Sequence, residues 1–560
     1  MSAEPGARRI AGPPVVDVLF LLAFWLIAVV IVDPRGDFPL NDDWAYAIAV
    51  RRLLEDGAFR PPGWAGMTLL SQALWGAAIA AVAGFSHTVL RASTLILGGA
   101  AVVGTYLLAR QLRAARGLAL LAALTLAANP LFVALAHTFM TDVPMTAMML
   151  YALLAFAHAL ESDSRAAWAA GSALTIAAVL CRQPAIVPAL GFAAAVLACP
   201  GARRRWWPAA ALSILLAGGA LWIFQRVMQA HGALPAAYWS HTGFLLRLWQ
   251  VGARGALPIV AGNIGVATLY TALFLLPLLI AGAPGWRAAR PSWWRWGGAI
   301  ASATLVVAAL GLWSSRRPMP MRGNVLITSG LGPVTLNDWY IRGLANDPRL
   351  PPAFWWTVTL VAAVAAALLV AQCASAIGRV WRERRAATPA GAATRALLLA
   401  TGLLYLGTTC GTVQFDRYFL PLVPIIGVAL LPPDGGRGLG RRTWLAAALP
   451  LLLLAAYAVA GTHDYLAWNR ARWQALRQLA ADGVEARRID GGLEFNAPLF
   501  YIEGSSTSGG GGRSWWWVAD DEYLVTMGPV PGYEVARQVP YPRWLPPGTG
   551  TIAVLHRSRR

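Results

Sequence analysis

Apolar runs recur along this chain at the length a helix needs to cross a bilayer, and that recurrence decides its class before any motif is read. A hydrocarbon core about 30 Å thick takes roughly 20 residues of helix. Inside it, every backbone amide must be satisfied by the chain itself. Val15 to Val32 is the first such run, and later ones begin at Val89, Gly117, Asp142, Pro208, Pro258, Phe354 and Trp444. With 57% of 560 residues apolar, 13% charged and a mean hydropathy of +0.54, the chain reads as an integral membrane protein.

The charge says which way it faces. The formal net charge of +20 comes wholly from arginine, because the sequence contains no lysine. Arginines gather between apolar runs, at Arg110, Arg113 and Arg116, at Arg203 to Arg205, at Arg287, Arg290 and Arg295, at Arg379 to Arg395, and at Arg437 to Arg442. This spacing fits loops kept on the cytoplasmic side and does not fit a nucleic-acid surface. If Ala65 to Gly84 lies in the interface instead of crossing, all these loops fall on one side, with about thirteen spans and the tail outside. The expected organisation is an all-α polytopic membrane domain over 1–460, with a first outer loop at 33–88 holding juxtamembrane helices. A small extracytoplasmic α/β domain over 461–560 completes it. The first run lacks a small-residue cleavage site and reads as a retained helix. Cys181, Cys199, Cys373 and Cys410 have neither metal-site nor disulfide spacing.

Pro39-Leu40-Asn41-Asp42-Asp43-Trp44-Ala45-Tyr46 places two carboxylates where the first span has just emerged. Capping of the following helix explains acids there. Carboxylates beside membrane spans, however, tend to be functional. Asp142, in Thr141-Asp142-Val143-Pro144, admits the same two readings: a cap ahead of a first-turn proline, or a second carboxylate facing the first. Arg60, Arg182 and Arg417 are candidates for gripping phosphate, since a guanidinium offers a planar fork of donors and stays charged near lipid. Snorkelling to the interface is the plainer account of each. His241 is a candidate donor or acceptor contact, or a plain loop histidine. All of these lie on the outer face, where no free nucleotide sugar or ATP is at hand, so an activated donor must arrive on a lipid.

Taken together, these motifs resemble the polytopic glycosyltransferases of the GT-C superfamily that use polyprenyl-phosphate sugars. The bacterial lipid A aminoarabinose transferase and the protein O-mannosyltransferases are its nearest types. That family has an Asp-Glu pair after the first span, then a Tyr, a Leu and a Gly; here Asp42, Asp43, Tyr46, Leu54 and Gly57 follow in register. Gly84-Phe85-Ser86, Arg91, Asn129-Pro130, Thr141-Asp142 and Arg417-Tyr418-Phe419-Leu420-Pro421 continue the likeness over about the first 460 residues. Two departures stand out. Arg60-Pro61-Pro62 replaces the family's Lys-Pro, and the loop around His241 matches only loosely.

The resemblance implies an inverting transferase of the inner (plasma) membrane. It would move a sugar from a polyprenyl-phosphate carrier to a hydroxyl of a lipid, envelope glycan or protein. Asp42 would be the base, with Asp43 and Asp142 beside it as catalytic acids, Arg60, Arg182 and Arg417 on the donor phosphate, and Tyr46 and His241 on substrate. Neither a metal nor a cofactor is expected. A lipid or solute transporter, or a noncatalytic subunit of an envelope assembly, are the rival readings. A transporter should place its ionisable groups at the bilayer midplane.

In the tail, Asp464 to Ala481 reads as a helix, and Glu522 to Met527, Glu534 to Val539 and Thr551 to His556 as strands. Gly504 to Gly512 reads as a mobile Gly-Ser run. Trp515-Trp516-Trp517 reads first as an interfacial anchor and second as rings that stack on a sugar.

Overall fold

The computed structural model describes residues 15–287, 291–384, 390–432, 440–502, 516–518 and 520–558, with the side chains of 240–242, 285–287, 291–295 and 390 left aside. Arg8, Arg9, Arg290, Arg385, Arg437, Trp515 and the Gly-Ser run lie outside that set. α1 (Val15–Val32) leads to a short helix α2 (Asp43–Asp56), then α3 (Leu70–Ala83) and α4 (His87–Gln111). At 1.5 Å per residue the 14 residues of α3 extend only about 21 Å, short of a bilayer core. The first outer loop is pinned by Arg91 of α4, which donates to the carbonyls of Pro34 (2.5 Å), Gly36 (3.2 Å) and Phe38 (3.1 Å).

α5 (Arg116–Ala127) and α6 (Pro130–Ala136) form one apolar element bent by 59°. The break sits at Asn129-Pro130. Proline opens α6, where its missing N–H is not needed, and the Asn129 side chain accepts the Phe132 N–H at 3.1 Å. The bend delivers the turn that starts α7 (Asp142–Ser162), which is followed by α8 (Arg165–Cys181), α9 (Val187–Ala198), α10 (Pro200–Ala230) and α11 (Ser240–Gln250). α12 (Gly252–Arg287) and α13 (Pro291–Ser315) precede an outer loop with a small hairpin, β1 (Leu326–Ile327) and β2 (Gly330–Leu331). α14 (Pro352–Glu383), α15 (Ala390–Cys410) and the 8-residue α16 (Leu422–Ala429) complete the bundle.

Among the described residues, seven of these helices and a last one at Arg441–Ala481 are long and apolar enough to cross a membrane, and the bent pair makes a ninth span. The chain is therefore a mostly helical, multi-pass membrane protein. Its polar ends sort onto two faces. On one, Asp17 accepts Arg116 and the Tyr106 hydroxyl at 2.5 Å each, while Glu161 accepts Gln111 (2.9 Å) and Thr394 (3.3 Å), and Arg205 meets Asp163 at 2.8 Å. On the other lie the start of α2, the α6–α7 turn, the end of α8 and the outer loop.

α17 (Arg441–Ala481) crosses last and does not stop where the apolar run ends. Its 41 residues extend about 60 Å, twice the bilayer core. The boundary expected at 460 therefore falls inside a continuous helix: the apolar face of 441–460 passes directly into one formed by Leu466, Leu476 and Leu479, all buried. Onto this helix pack β5 (Tyr533–Trp544) and β6 (Pro547–Arg557) of a four-stranded sheet that also contains β3 (Ile489–Asp490) and β4 (Tyr523–Thr526), in the order β3-β4-β6-β5. β3 pairs with β4 in parallel; the other two pairings are antiparallel. α18 (Leu493–Phe500) links β3 to the rest. The three longer strands fall on the runs expected from sequence.

The sorting of ends predicts that single cysteines replacing Arg35 and Arg204 in a cysteine-free protein are labelled by an impermeant maleimide from opposite sides of the membrane. Labelling of both from one side contradicts this fold.

Candidate functional site

Residues 41 to 43 show why sequence alone gives two readings. Asn41 has a left-handed backbone (φ 57), which asparagine tolerates better than most residues. Asp42 occupies the N-cap position of α2, yet its side chain makes no capping bond. Instead Oδ1 accepts the Trp64 indole N–H at 2.9 Å and Oδ2 accepts Arg417 Nη2 at 3.2 Å. Asp43 turns the other way. Its Oδ1 accepts the Leu40 N–H (2.7 Å) and its Oδ2 the Phe139 N–H (3.0 Å), so it ties the loop to the α6–α7 turn. The two adjacent acids thus separate: Asp42 lines a cavity, and Asp43 is fully engaged by backbone.

Asp142 likewise makes no cap. Its Oδ1 accepts Arg182 Nη1 at 2.5 Å; both side chains are buried, and Oδ2 has no partner among the described residues. Arg182 is brought there because α8 ends at Cys181, ahead of Gln183-Pro184, leaving Arg182 extended at the C-cap. Its guanidinium also lies 4.5 Å from the Tyr418 ring centroid. Removing one partner of such a buried pair leaves an unmatched charge, at a cost of about 3–5 kcal/mol.

Arg417 completes the arrangement. Asp416 beside it accepts four backbone N–H groups, from Asn324 (3.3 Å), Val325 (3.1 Å), Leu326 (2.6 Å) and Arg417 itself (2.7 Å), which anchors the outer loop and fixes the start of the arginine side chain. The Arg417 guanidinium sits 5.7 Å from the Tyr418 ring centroid, and its Nε and Nη1 have no partner among the described residues. A line of contacts therefore runs Asp42–Arg417–Tyr418–Arg182–Asp142. A buried cation with two nitrogens uncommitted among the described residues is suited to an anion.

Two cavities meet at Tyr418. One, of about 430 Å³, is lined by Asn41, Asp42, Tyr46, Trp64, Tyr340, Arg417, Leu493 and Trp516. The other, of about 380 Å³, is lined by Arg182, Gln183, Leu221, Gln225, Tyr238, Leu245, Tyr405 and Thr408. Tyr46 is buried at the first cavity with its hydroxyl 2.8 Å from the Met67 sulfur. Arg60 is elsewhere: it lines a third, apolar cavity of about 630 Å³ with Phe224, Met228 and His231. His241 lies in α11, and its side chain is outside the described residues.

Sequence reasoning missed Trp64, Tyr340 and Glu494. Glu494 had a signal, a lone carboxylate in the apolar segment Leu493-Glu494-Phe495; Trp64 and Tyr340 had none. The tryptophan run also differs from its expected role as a membrane anchor. Trp516 is buried against Trp64 and Tyr340, and Trp517 packs on Trp64 and Tyr501, because the tail folds over the outer face and takes these rings into the cavity wall.

Comparison with known proteins bears out the likeness drawn from the motifs. Residues 72–229 match the family described as dolichyl-phosphate-mannose-protein mannosyltransferase. Asp142 and Arg182 fall inside that segment, and Asp42 and Arg417 outside it. Among solved structures, ArnT from Cupriavidus metallidurans bound to undecaprenyl phosphate is 16% identical, with 80% of this chain and 77% of that chain covered and a TM-score of 0.34. Its apo form gives 14% identity, the same coverage and a TM-score of 0.32. The arabinosyltransferase EmbB from Mycobacterium smegmatis is 14% identical, covering 83% of this chain and 42% of that one, at a TM-score of 0.34. Scores this low place no residue. Comparison with curated proteins finds no match.

Burial pushes the Asp43 carboxyl up to about 7, against the pull of its two amide donors. The unfolded value is about 3.9, so the fold favours the protonated acid. Its contribution to stability is fully present below pH 4 and is lost as pH rises through 7, at about 1.4 kcal/mol per unit. Burial raises Asp416 to about 6 and adds to the same trend. Thermal unfolding between pH 5 and 8 should show the melting temperature falling with pH. Asp43→Asn should start lower, having lost one amide acceptor, and fall less steeply; an unchanged slope refutes the role given to Asp43.

Proposed function

We propose that this chain is an inverting glycosyltransferase of the GT-C type, with about thirteen spans, that moves a sugar from a polyprenyl-phosphate carrier to an acceptor hydroxyl on the extracytoplasmic side of the plasma membrane. The observation that carries the reading is the contact line from Asp42 through Arg417 and Tyr418 to Arg182, which joins a cavity holding the Asp42 carboxylate to one with Leu221 and Leu245 in its wall. An amphiphilic donor needs both: room for a chain beside a place for phosphate and sugar. The arginine clusters on the opposite face support the orientation, since cytoplasmic loops carry the excess of arginine.

In this reading the donor phosphate sits against Arg417 and Arg182, its polyprenyl chain in the cavity bounded by Leu221 and Leu245, and its sugar in the cavity with Asp42. The acceptor oxygen attacks the anomeric carbon from the face opposite the phosphate, giving inversion in a single displacement. Its proton passes to Asp42, and the electron pair of the broken C–O bond leaves on the phosphate. A positioned base contributes about 10²–10⁴-fold. Donors aimed at the departing charge act without reorganising, and removing one costs on the order of 10²–10³-fold. Among the described residues the Arg417 guanidinium hydrogen-bonds Asp42 alone; an arriving phosphate competes for it and frees Asp42 to accept a proton. Asp142 keeps Arg182 oriented and half-neutralised. Tyr46 shapes the wall beside Asp42. Asp43 supports the loop, while Arg60 lies in a separate apolar cavity and takes no part in this step. Acceptors of the three expected classes, lipid, glycan and protein, all present the hydroxyl this chemistry needs.

Purified protein given a panel of polyprenyl-phosphate sugars should release polyprenyl phosphate in the presence of envelope acceptors. Asp42→Asn should lower kcat by about 10²-fold or more, and Arg417→Gln by about 10²-fold. Turnover by Asp42→Asn at the wild-type rate removes the base from this mechanism.

A further inference from the structure

Asp42 is held from one side by Trp64 and Arg417. From the other it is held by its own backbone, and that backbone is held by the tail. The Asn41 N–H, one residue before Asp42, donates to Glu494 Oε1 of α18 at 3.0 Å. Glu494 is itself buried and fixed twice on its other oxygen, by the Thr335 hydroxyl (2.5 Å) and by Arg472 Nη1 of α17 (2.8 Å). Arg472 is locked in turn by its Nε bond to the Gly491 carbonyl at 2.8 Å. Asn41 has the left-handed φ of 57, so the peptide whose N–H Glu494 takes is the one that decides where Asp42 points.

We infer that Glu494 is a positioning residue for Asp42, and that the last hundred residues are part of the reaction centre and not an appended domain. The inference rests on Asp42 being the base. It accounts for a buried ion pair at the junction of the tail with the first outer loop: a charged pair in such a place is weak evidence for stability and better evidence for geometry that must be fixed. Among the described residues Glu494 bonds the Asp42 segment through the Asn41 amide and hydrogen-bonds neither Arg417 nor Arg182, so removing it alters the direction of the base without altering the groups that hold the donor phosphate.

The test uses the full-length protein in detergent or nanodiscs and a polyprenyl-phosphate sugar that the wild type turns over. Glu494→Ala should lower kcat at least tenfold with donor KM within twofold of wild type. Glu494→Gln keeps an oxygen for the Asn41 N–H and should recover to within about threefold of wild type. In an Asp42→Asn background, Glu494→Ala should cost nothing further, because it acts through a base already removed. If Glu494→Ala leaves the Arg472 charge unmatched and does not fold, Glu494→Leu with Arg472→Met removes the acceptor and the stranded charge together and should show the same kcat loss. A folded Glu494→Ala protein with wild-type kcat overturns the inference, as does a loss of equal size with and without Asp42. Wild-type activity in Asp42→Asn alone fails the base assignment instead, whatever Glu494 does.

Discussion

Everything at the outer face depends on how a few charges are matched where water is scarce. An ion taken into a low-dielectric interior loses several kcal/mol of hydration even after relaxation, and its partner and hydrogen bonds must return it. Arg182 is matched by Asp142, Arg472 by Glu494, and Asp416 by four amides. Arg417 is the exception, meeting Asp42 through one nitrogen with two others unengaged among the described residues. Asp142 Oδ2 and Arg472 Nη2 also have no partner among the described residues, but their ions pair at 2.5 and 2.8 Å, while Arg417 meets Asp42 at 3.2 Å, where two cavities meet.

The scaffold exists to keep that place still. The bend at Asn129-Pro130 ends one helix early and brings the α6–α7 turn beneath the first outer loop, where Asp43 bonds its backbone. Arg91 draws the same loop down from the other side through three carbonyls. The outer loop with its hairpin is tied to the bundle through Asp416. Each tie joins backbone to a buried side chain, which fixes position more firmly than contact between two flexible side chains.

Class and most of the candidate residues were legible in the sequence, because hydropathy and arginine placement act residue by residue and need no tertiary knowledge. Asp42, Asp142, Arg182 and Arg417 were found that way, and the structure brings them into one line of contacts. The roles within adjacent residues were not legible: Asp42 and Asp43 are identical in composition and neighbourhood and differ only in which way a left-handed Asn41 turns them. Arg60 illustrates the opposite error. Its motif matched the place of a family lysine, yet the chain fold puts it in a separate cavity. Glu494 lies 453 residues from the amide it holds, a distance over which no local pattern reports. The domain boundary was misplaced for a related reason. Apolar and amphipathic stretches differ in composition, but a helix continues through both as long as nothing breaks its backbone bonds.

That continuity of α17 has a mechanical meaning. A single rod rooted in lipid and ending against β5 and β6 works as a lever, so any change in its slant within the membrane is delivered, magnified by its length, to the strands at its far end. Bilayer thickness sets such slants. The lipid around this protein therefore bears on the sheet through the slant of one helix, with no contact between lipid and strand required.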